Sequence, residues 1–333
     1  MEGEIKNFTK VWIVAITCLS YCYLITSRIP KGFLRLISLL PIFYLFITLP
    51  LSLSSFHFTG VTSFFLTWLA NFKLLLFAFG QGPLSQPNKL FHFILVASLP
   101  IEIKPNRPPK SEKDRNPSPQ ISNPIQISHQ VSNFIKLVIK IVLLVLHCCQ
   151  VYLSLETILT MSATLACIFG FEVEPQFNKP FLATSLQNFW GHRWDLMVTS
   201  ILRPTIYNPV RRIFSHIIRQ EWTQYIGVII TFFVSGFMHE VIFYHLLRVL
   251  PTWEVTWFFV VQGVSVAVEI FIKKNLASRW QLSSVVSTPL VLVFVVATSI
   301  WLFLPPLVRN NYFDKRFEEY LIIANYIKNV LRM

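Results

Sequence analysis

Residues 225–247 read YIGVIITFFVSGFMHEVIFYHLL, an apolar run with His239 and Glu240 set in its second half. A run of about 18–22 apolar residues is long enough to cross the hydrocarbon core of a bilayer. An ionisable pair there is costly and marks a functional site by default, with a buried structural histidine as the bland alternative. At about 1.5 Å per residue, His239 lies roughly 20 Å beyond Tyr225, past the middle of the membrane. This stretch decides the fold class: an all-α polytopic membrane protein.

The rest of the chain agrees. It has 333 residues, 53% of them hydrophobic, and a mean hydropathy of +0.55, above what a soluble domain carries. Lys and Arg exceed Asp and Glu by 13. Nucleic-acid binding would need a basic face on a soluble fold, so the charge points to loops facing anionic lipid or to an anionic substrate. The five cysteines lie in apolar runs without a C-x-x-C pair, as packing residues rather than a disulfide frame or zinc site.

Eight spans are expected near 10–27, 33–53, 60–80, 131–149, 151–170, 223–247, 253–272 and 285–308, within one membrane domain covering 1–333. The first is retained rather than cleaved. Leu90 to Pro100 is about half a span, re-entrant or interfacial. Residues 101–130 are rich in proline and charge and read as a flexible cytosolic loop. With the N-terminus outside the cytosol, loops 28–35, 81–130, 171–222 and 273–284 carry 18 Lys and Arg against eight on the other side, as the positive-inside rule requires. Residues 171–222 form a cytosolic or re-entrant catalytic segment. The tail 313–333, with Phe317, Leu321, Ala324, Ile327 and Leu331 at helical spacing, lies along the interface.

A neutral, desolvated imidazole is what a general base requires, and His239 is placed to be one. Glu240 points about 100° away round the helix, with its role open. His239-Glu240 with His245 is not a zincin H-E-x-x-H, because six residues turn the second ring 240° away. Ser235-Gly236 lacks the G-x-S-x-G context of a nucleophile and suits close helix packing.

The segment 179–222 interleaves Trp190, Trp194, Tyr207 and Trp222 with Lys179, Arg193, Arg203, Arg211, Arg212 and Arg219. A positive-inside loop with an aromatic belt accounts for much of this. It does not account for Asn188, Arg193 and Asp195 set among aromatic residues. Arginine forks suit phosphates, so an anionic carrier such as coenzyme A fits this face.

Phe189-Trp-Gly-His-Arg-Trp-Asp195, Ser200-Ile-Leu-Arg-Pro204 and Ser235-Gly-Phe-Met-His-Glu240 together resemble the plant wax synthase family of the membrane-bound O-acyltransferases. So do Lys10-Val-Trp, Ser20-Tyr-Cys-Tyr and residues 180–187, so the resemblance runs over most of the chain. It departs from the family pattern at His192, where Arg is usual, and at Asp195, where Asn is usual. The resemblance implies a helical bundle with an internal reaction chamber, His239 as catalytic base and Asp195 as the second catalytic position. Asn188, Trp190, Arg193, Trp194, Arg203, Arg211 and Arg212 are the candidate substrate-binding residues, with the CoA phosphates expected near Arg193, Arg203, Arg211 and Arg212.

The implied reaction joins a fatty acyl-CoA to a long-chain alcohol, with sterol or diacylglycerol as alternative acceptors, in the endoplasmic reticulum membrane. No bound cofactor, metal or covalent intermediate is needed, because the thioester is already activated. A transporter is the rival reading, with His239, Glu240, Glu269 and Lys73 as a proton or solute path. It lacks an inverted repeat or matched broken helices and gives the Trp/Arg motif no task.

Overall fold

The computed structural model describes residues 2–85, 89–100, 130–171, 173, 175–276 and 283–330. Among these no β-strand forms. The helices are α1 (Glu2–Leu24), α2 (Phe33–Thr48), α3 (Phe56–Ala78), α4 (Leu90–Ser98), α5 (Gln130–Ile168) and α6 (Leu186–His192). They continue as α7 (196–214), α8 (Gln220–Leu247), α9 (Glu254–Leu276), α10 (Ser284–Phe303), α11 (Pro305–Arg309) and α12 (Tyr312–Val330). Seven of the described helices, α1–α3, α5 and α8–α10, are long and apolar enough to cross a membrane.

Two expected spans, 131–149 and 151–170, are one helix of 39 residues. Its middle, Cys148-Cys149-Gln150-Val151, holds neither glycine nor proline, so nothing interrupts the backbone ladder. A turn between two spans also needs more than the single residue Gln150.

Contacts sort the loops into two groups. At one end the Gly32 N–H donates to the Ala78 carbonyl (2.8 Å), the Phe91 and Phe169 rings meet edge to face, and Trp222 stacks on Phe271. At the other, Glu4 accepts from the Ser54 and Ser55 N–H groups, Arg248 donates to the carbonyls of Pro50, Leu51 and Leu53, and Arg309 pairs with Glu254. The first group carries the basic loops 28–35, 171–222 and 273–284. One expectation does not hold: residues 81–130 do not begin and end on one side. The chain enters α4 at the basic end, whereas His147 of α5 stacks on Phe313 at the other (3.8 Å between centroids, 10° between planes). The Pro-rich stretch 101–129 between them lies outside the described residues.

The core sits around α3. In its apolar window 83% of residues are buried, against 11% for α10, which makes α3 the central helix. Ser55 caps it, accepting from the Phe58 N–H. A π-helical stretch over Ser63–Ala70 turns Phe65, Leu66, Trp68 and Leu69 into the packed interior. The half-length α4 is buried along Phe93, Val96, Ala97 and Ser98. It ends where the Lys73 ammonium donates to the carbonyls of Val96 (2.6 Å) and Leu99 (2.7 Å).

α8 and α9 form an antiparallel pair whose close approach depends on two glycines. A Cβ at Gly236 would stand 2.9 Å from Thr256 Cα, and one at Gly263 would stand 2.7 Å from Phe232 Cβ. Small residues at such crossings let backbones meet without lipid between them. α12 docks through Tyr312, Phe313 and Arg316, which are buried, while Phe317, Leu321 and Ile327 are exposed.

Gly236→Ala sets a methyl group against backbone that cannot swing aside. The expected loss is about 1–3 kcal/mol, seen as a lower melting temperature of the detergent-purified protein despite the better helix propensity of alanine. An unchanged melting temperature would mean that the α8–α9 contact is looser than described.

Candidate active site

α6 is short, and its N-terminus is held twice. Ser185 caps it by accepting from the Asn188 N–H (3.0 Å). Glu269 of α9 accepts from the Leu186 and Gln187 N–H groups (2.7 and 3.2 Å) and pairs with Lys273. A carboxylate on a helix N-terminus answers both its free donors and its dipole. Trp190 leaves α6 toward the middle of the α8–α9 pair, with its ring 5.6 Å from Phe232, 6.0 Å from Phe259 and 6.3 Å from Phe258. Its indole N–H donates to Gln262 Oε1 (3.1 Å). Trp194 stacks on Phe189 at 5.4 Å and meets Phe177 edge to face.

The chain reverses at Asp195, which adopts a left-handed φ of 39° and caps α7 by accepting from the Val198 N–H (3.2 Å). An aspartate tolerates this conformation better than most residues, because its short side chain bonds locally. The residue as a whole is half-buried. Burial nonetheless pushes its carboxyl up to about 7, with the Val198 N–H pulling the other way. The first turns of α7 then pack Val198 and Leu202 with Trp68, Met238 and Ile242.

His239 lies on α8 beside that contact. Its ring meets Trp68 edge to face (4.9 Å), lies nearly parallel to Phe259 (4.3 Å, 29°) and has Phe303 at 6.1 Å. It faces the bundle, where Trp68, Val198 and Met238 link it to the start of α7, and Phe259 links it to Trp190. Nδ1 is 2.8 Å from the carbonyl of Ser235. A carbonyl only accepts, so Nδ1 carries the proton and Nε2 keeps the lone pair.

The neighbouring ionisable groups are occupied otherwise. Glu240 is 3% exposed and accepts from the Thr256 N–H (3.1 Å), so it caps α9 from α8. His245 is 2% exposed and holds Ser63 Oγ at 2.9 Å from its Nδ1. Glu269 caps α6 and Lys73 closes α4, as described above. Of the four groups that a transporter would string into a path, three, Glu240, Glu269 and Lys73, thus each terminate a different helix, which leaves His239.

The expected substrate-binding residues divide into two sets. Trp190 stands in the aromatic wall that reaches His239 through Phe259, and Trp194 packs behind it on Phe189. Asn188 and Arg193 bind each other, Nε donating to Oδ1 at 2.7 Å, and Arg193 Nη1 also donates to the carbonyls of Asn178 and Lys179. That fork holds the motif together. Arg203, Arg211 and Arg212 sit farther along α7, toward the basic end. Arg203 and Arg212 are exposed, and the Arg211 guanidinium lies over the Tyr207 ring at 5.4 Å. Both Arg211 and Tyr207 pack on Gly227.

Sequence reasoning missed Trp68, Phe259 and Gln262. The aromatic residues carried no signal among so many others. Gln262 did: it is a lone amide inside an apolar span, and the reasoning that singled out His239 applies to it equally.

Residues 173–261, which hold both motifs and His239, match the model of the membrane bound O-acyl transferase family. A long-chain-alcohol O-fatty-acyltransferase of Simmondsia chinensis is 44% identical, over 99% of this chain and 98% of its own. Two proteins of Arabidopsis thaliana are each 42% identical over 98% of this chain: one named a probable long-chain-alcohol O-fatty-acyltransferase, covered over 98% of its length, and one an acyl-CoA–sterol O-acyltransferase, covered over 97%. Identity at this level across whole chains, together with the motif pair around a bundle-facing histidine, places the protein in the plant wax synthase family of the membrane-bound O-acyltransferases.

Proposed function

We propose that the protein transfers a fatty acyl group from acyl-CoA to the hydroxyl of a long-chain alcohol, making a wax ester, with His239 Nε2 as the general base. The observation that carries this is the 2.8 Å contact between His239 Nδ1 and the Ser235 carbonyl. The Ser235 carbonyl fixes the proton on Nδ1 and leaves the lone pair of Nε2 among Trp68, Phe259 and Phe303.

The hydroxyl oxygen attacks the thioester carbon as its proton passes to Nε2. The C–S bond then breaks, and the proton returns to the departing CoA sulfur, giving ester and free CoA. Base assistance contributes roughly 10²–10⁴-fold, and holding both chains beside one ring contributes the rest through effective molarity. Asp195, at the turn between α6 and α7, is the second residue of the centre, one α7 turn from Val198 and the Trp68 contact. The CoA phosphates rest on the cytosolic face near Arg203, Arg211 and Arg212. The acceptor enters from the bilayer, and the endoplasmic reticulum membrane is the setting. A sterol acceptor is the second reading, favoured by the sterol acyltransferase among the relatives.

His239→Ala, expressed in a host lacking neutral-lipid synthesis, is expected to lose roughly 10²-fold or more of ester formation per folded enzyme. Ester at the wild-type rate would remove His239 from the chemistry. Supplying fatty alcohols and sterols side by side to the wild type separates the two acceptor readings.

Asp195 gives a pH signature. A folded pKa of about 7 stands above the unfolded value of about 3.9, so the folded state binds the extra proton between them. Stability from this group is complete below about pH 4 and lost as pH climbs to about 7. Asp195→Asn keeps a capping side chain and removes the titration. The melting temperature of the wild type should therefore fall relative to Asp195→Asn from pH 5 to 7.5; parallel curves would contradict the burial of this carboxyl.

A further inference from the structure

A buried polar thread runs through the aromatic wall beside His239. Gln262, midway along α9, has no exposed surface (0%). Its Oε1 accepts from Trp190 Nε1 at 3.1 Å, and its Nε2 donates to Thr298 Oγ1 at 2.7 Å. Thr298 Oγ1 in turn donates to the carbonyl of Phe294 (2.7 Å) or Val295 (3.0 Å) on its own helix. The thread joins α6, α9 and α10.

Its direction is determined. The threonine proton goes to a helix carbonyl, so its oxygen can only accept from the amide NH₂. That turns the amide oxygen toward Trp190, whose indole N–H has no role but donor. A buried amide is costly unless its partners are in place, and a leucine here would leave the Trp190 N–H without an acceptor. The amide therefore does something that an apolar residue would not: it holds the Trp190 ring in one position. Trp190 meets Phe259 at 6.0 Å, and Phe259 lies almost flat against the His239 imidazole at 4.3 Å. Gln262 is thus two ring contacts from the base.

We propose that Gln262 is a positioning residue for acyl transfer. Through Trp190 and Phe259 it sets the plane of the His239 ring and the wall against which the thioester lies. This rests on the reading of His239 as the base.

The test compares Gln262→Leu, Thr298→Val, Trp190→Phe and the double variant Gln262→Leu/Trp190→Phe, each purified and assayed with acyl-CoA and a fatty alcohol. Gln262→Leu and Trp190→Phe should each lower kcat roughly tenfold or more, with KM for acyl-CoA within about twofold, as loss of positioning at the reacting centre does. The double variant should be no slower than the slower single, because both cut the same bond. Gln262→Glu, in its protonated form, repeats the donor–acceptor order, and should recover kcat at pH 6 and lose it as the pH rises. If Gln262→Leu does not fold, Thr298→Val and Gln262→Glu carry the comparison.

The proposal is overturned by additive losses, by a normal kcat with only a lower melting temperature, or by a loss confined to KM. His239→Gln in the same assay separates the two levels. Activity surviving that change defeats the base assignment itself, whereas a His239-dependent enzyme indifferent to Gln262→Leu defeats only the positioning role.

Discussion

The structure depends on one constraint: a helix end inside a membrane protein has no water to satisfy its free N–H or carbonyl groups. In this chain α4 is too short to cross and ends inside the bundle, while α6 starts against α9 and α9 starts against α8. Each of these ends is met by a charge from another helix. Glu240 on α8 caps α9, Glu269 on α9 caps α6, and Lys73 on α3 closes α4. The signs agree with the helix dipole, acids at N-termini and the base at a C-terminus. Arg35 does the same near the basic end, donating to the carbonyls of Ser27, Ile29 and Phe77.

This use of charge makes the site possible. α6 can dip toward the middle of α8 and α9 only because Glu269 holds its start, and it brings Trp190 with it. The chain can turn back at Asp195 only in a left-handed conformation that the side chain itself steadies by capping α7. The result is an aromatic enclosure of Trp68, Phe259 and Phe303 around one imidazole, with Trp190 behind Phe259. His239 differs from its charged neighbours in a specific way. Its bond to the Ser235 carbonyl lies within its own helix and leaves a ring nitrogen for chemistry.

Much of this was legible in the residues. The apolar runs gave the helices, and the rarity of ionisable groups within them pointed to His239. The small residues Ser235-Gly236 pointed to close packing, which the Thr256 contact at Gly236 explains. What was not legible has common physical causes. Glu240 and Glu269 look like proton-path residues in a linear sequence, because their partners are backbone groups of helices 16 and 83 residues away. The single helix α5 was divided because its length exceeds any bilayer, although no residue in its middle can end it. The bond between Arg193 and Asn188 was hidden like the partners of Glu240 and Glu269, since it needs the turn that only the fold supplies.

The most direct measurement is a structure of the protein in a lipid nanodisc with a non-cleavable acyl-CoA thioether bound. The account predicts the carbon next to sulfur beside His239 Nε2, with room for one hydroxyl between them, and the nucleotide at the end that carries Arg203, Arg211 and Arg212. An acyl carbon out of reach of that nitrogen, or a nucleotide at the opposite end near His245 and Arg248, would contradict it.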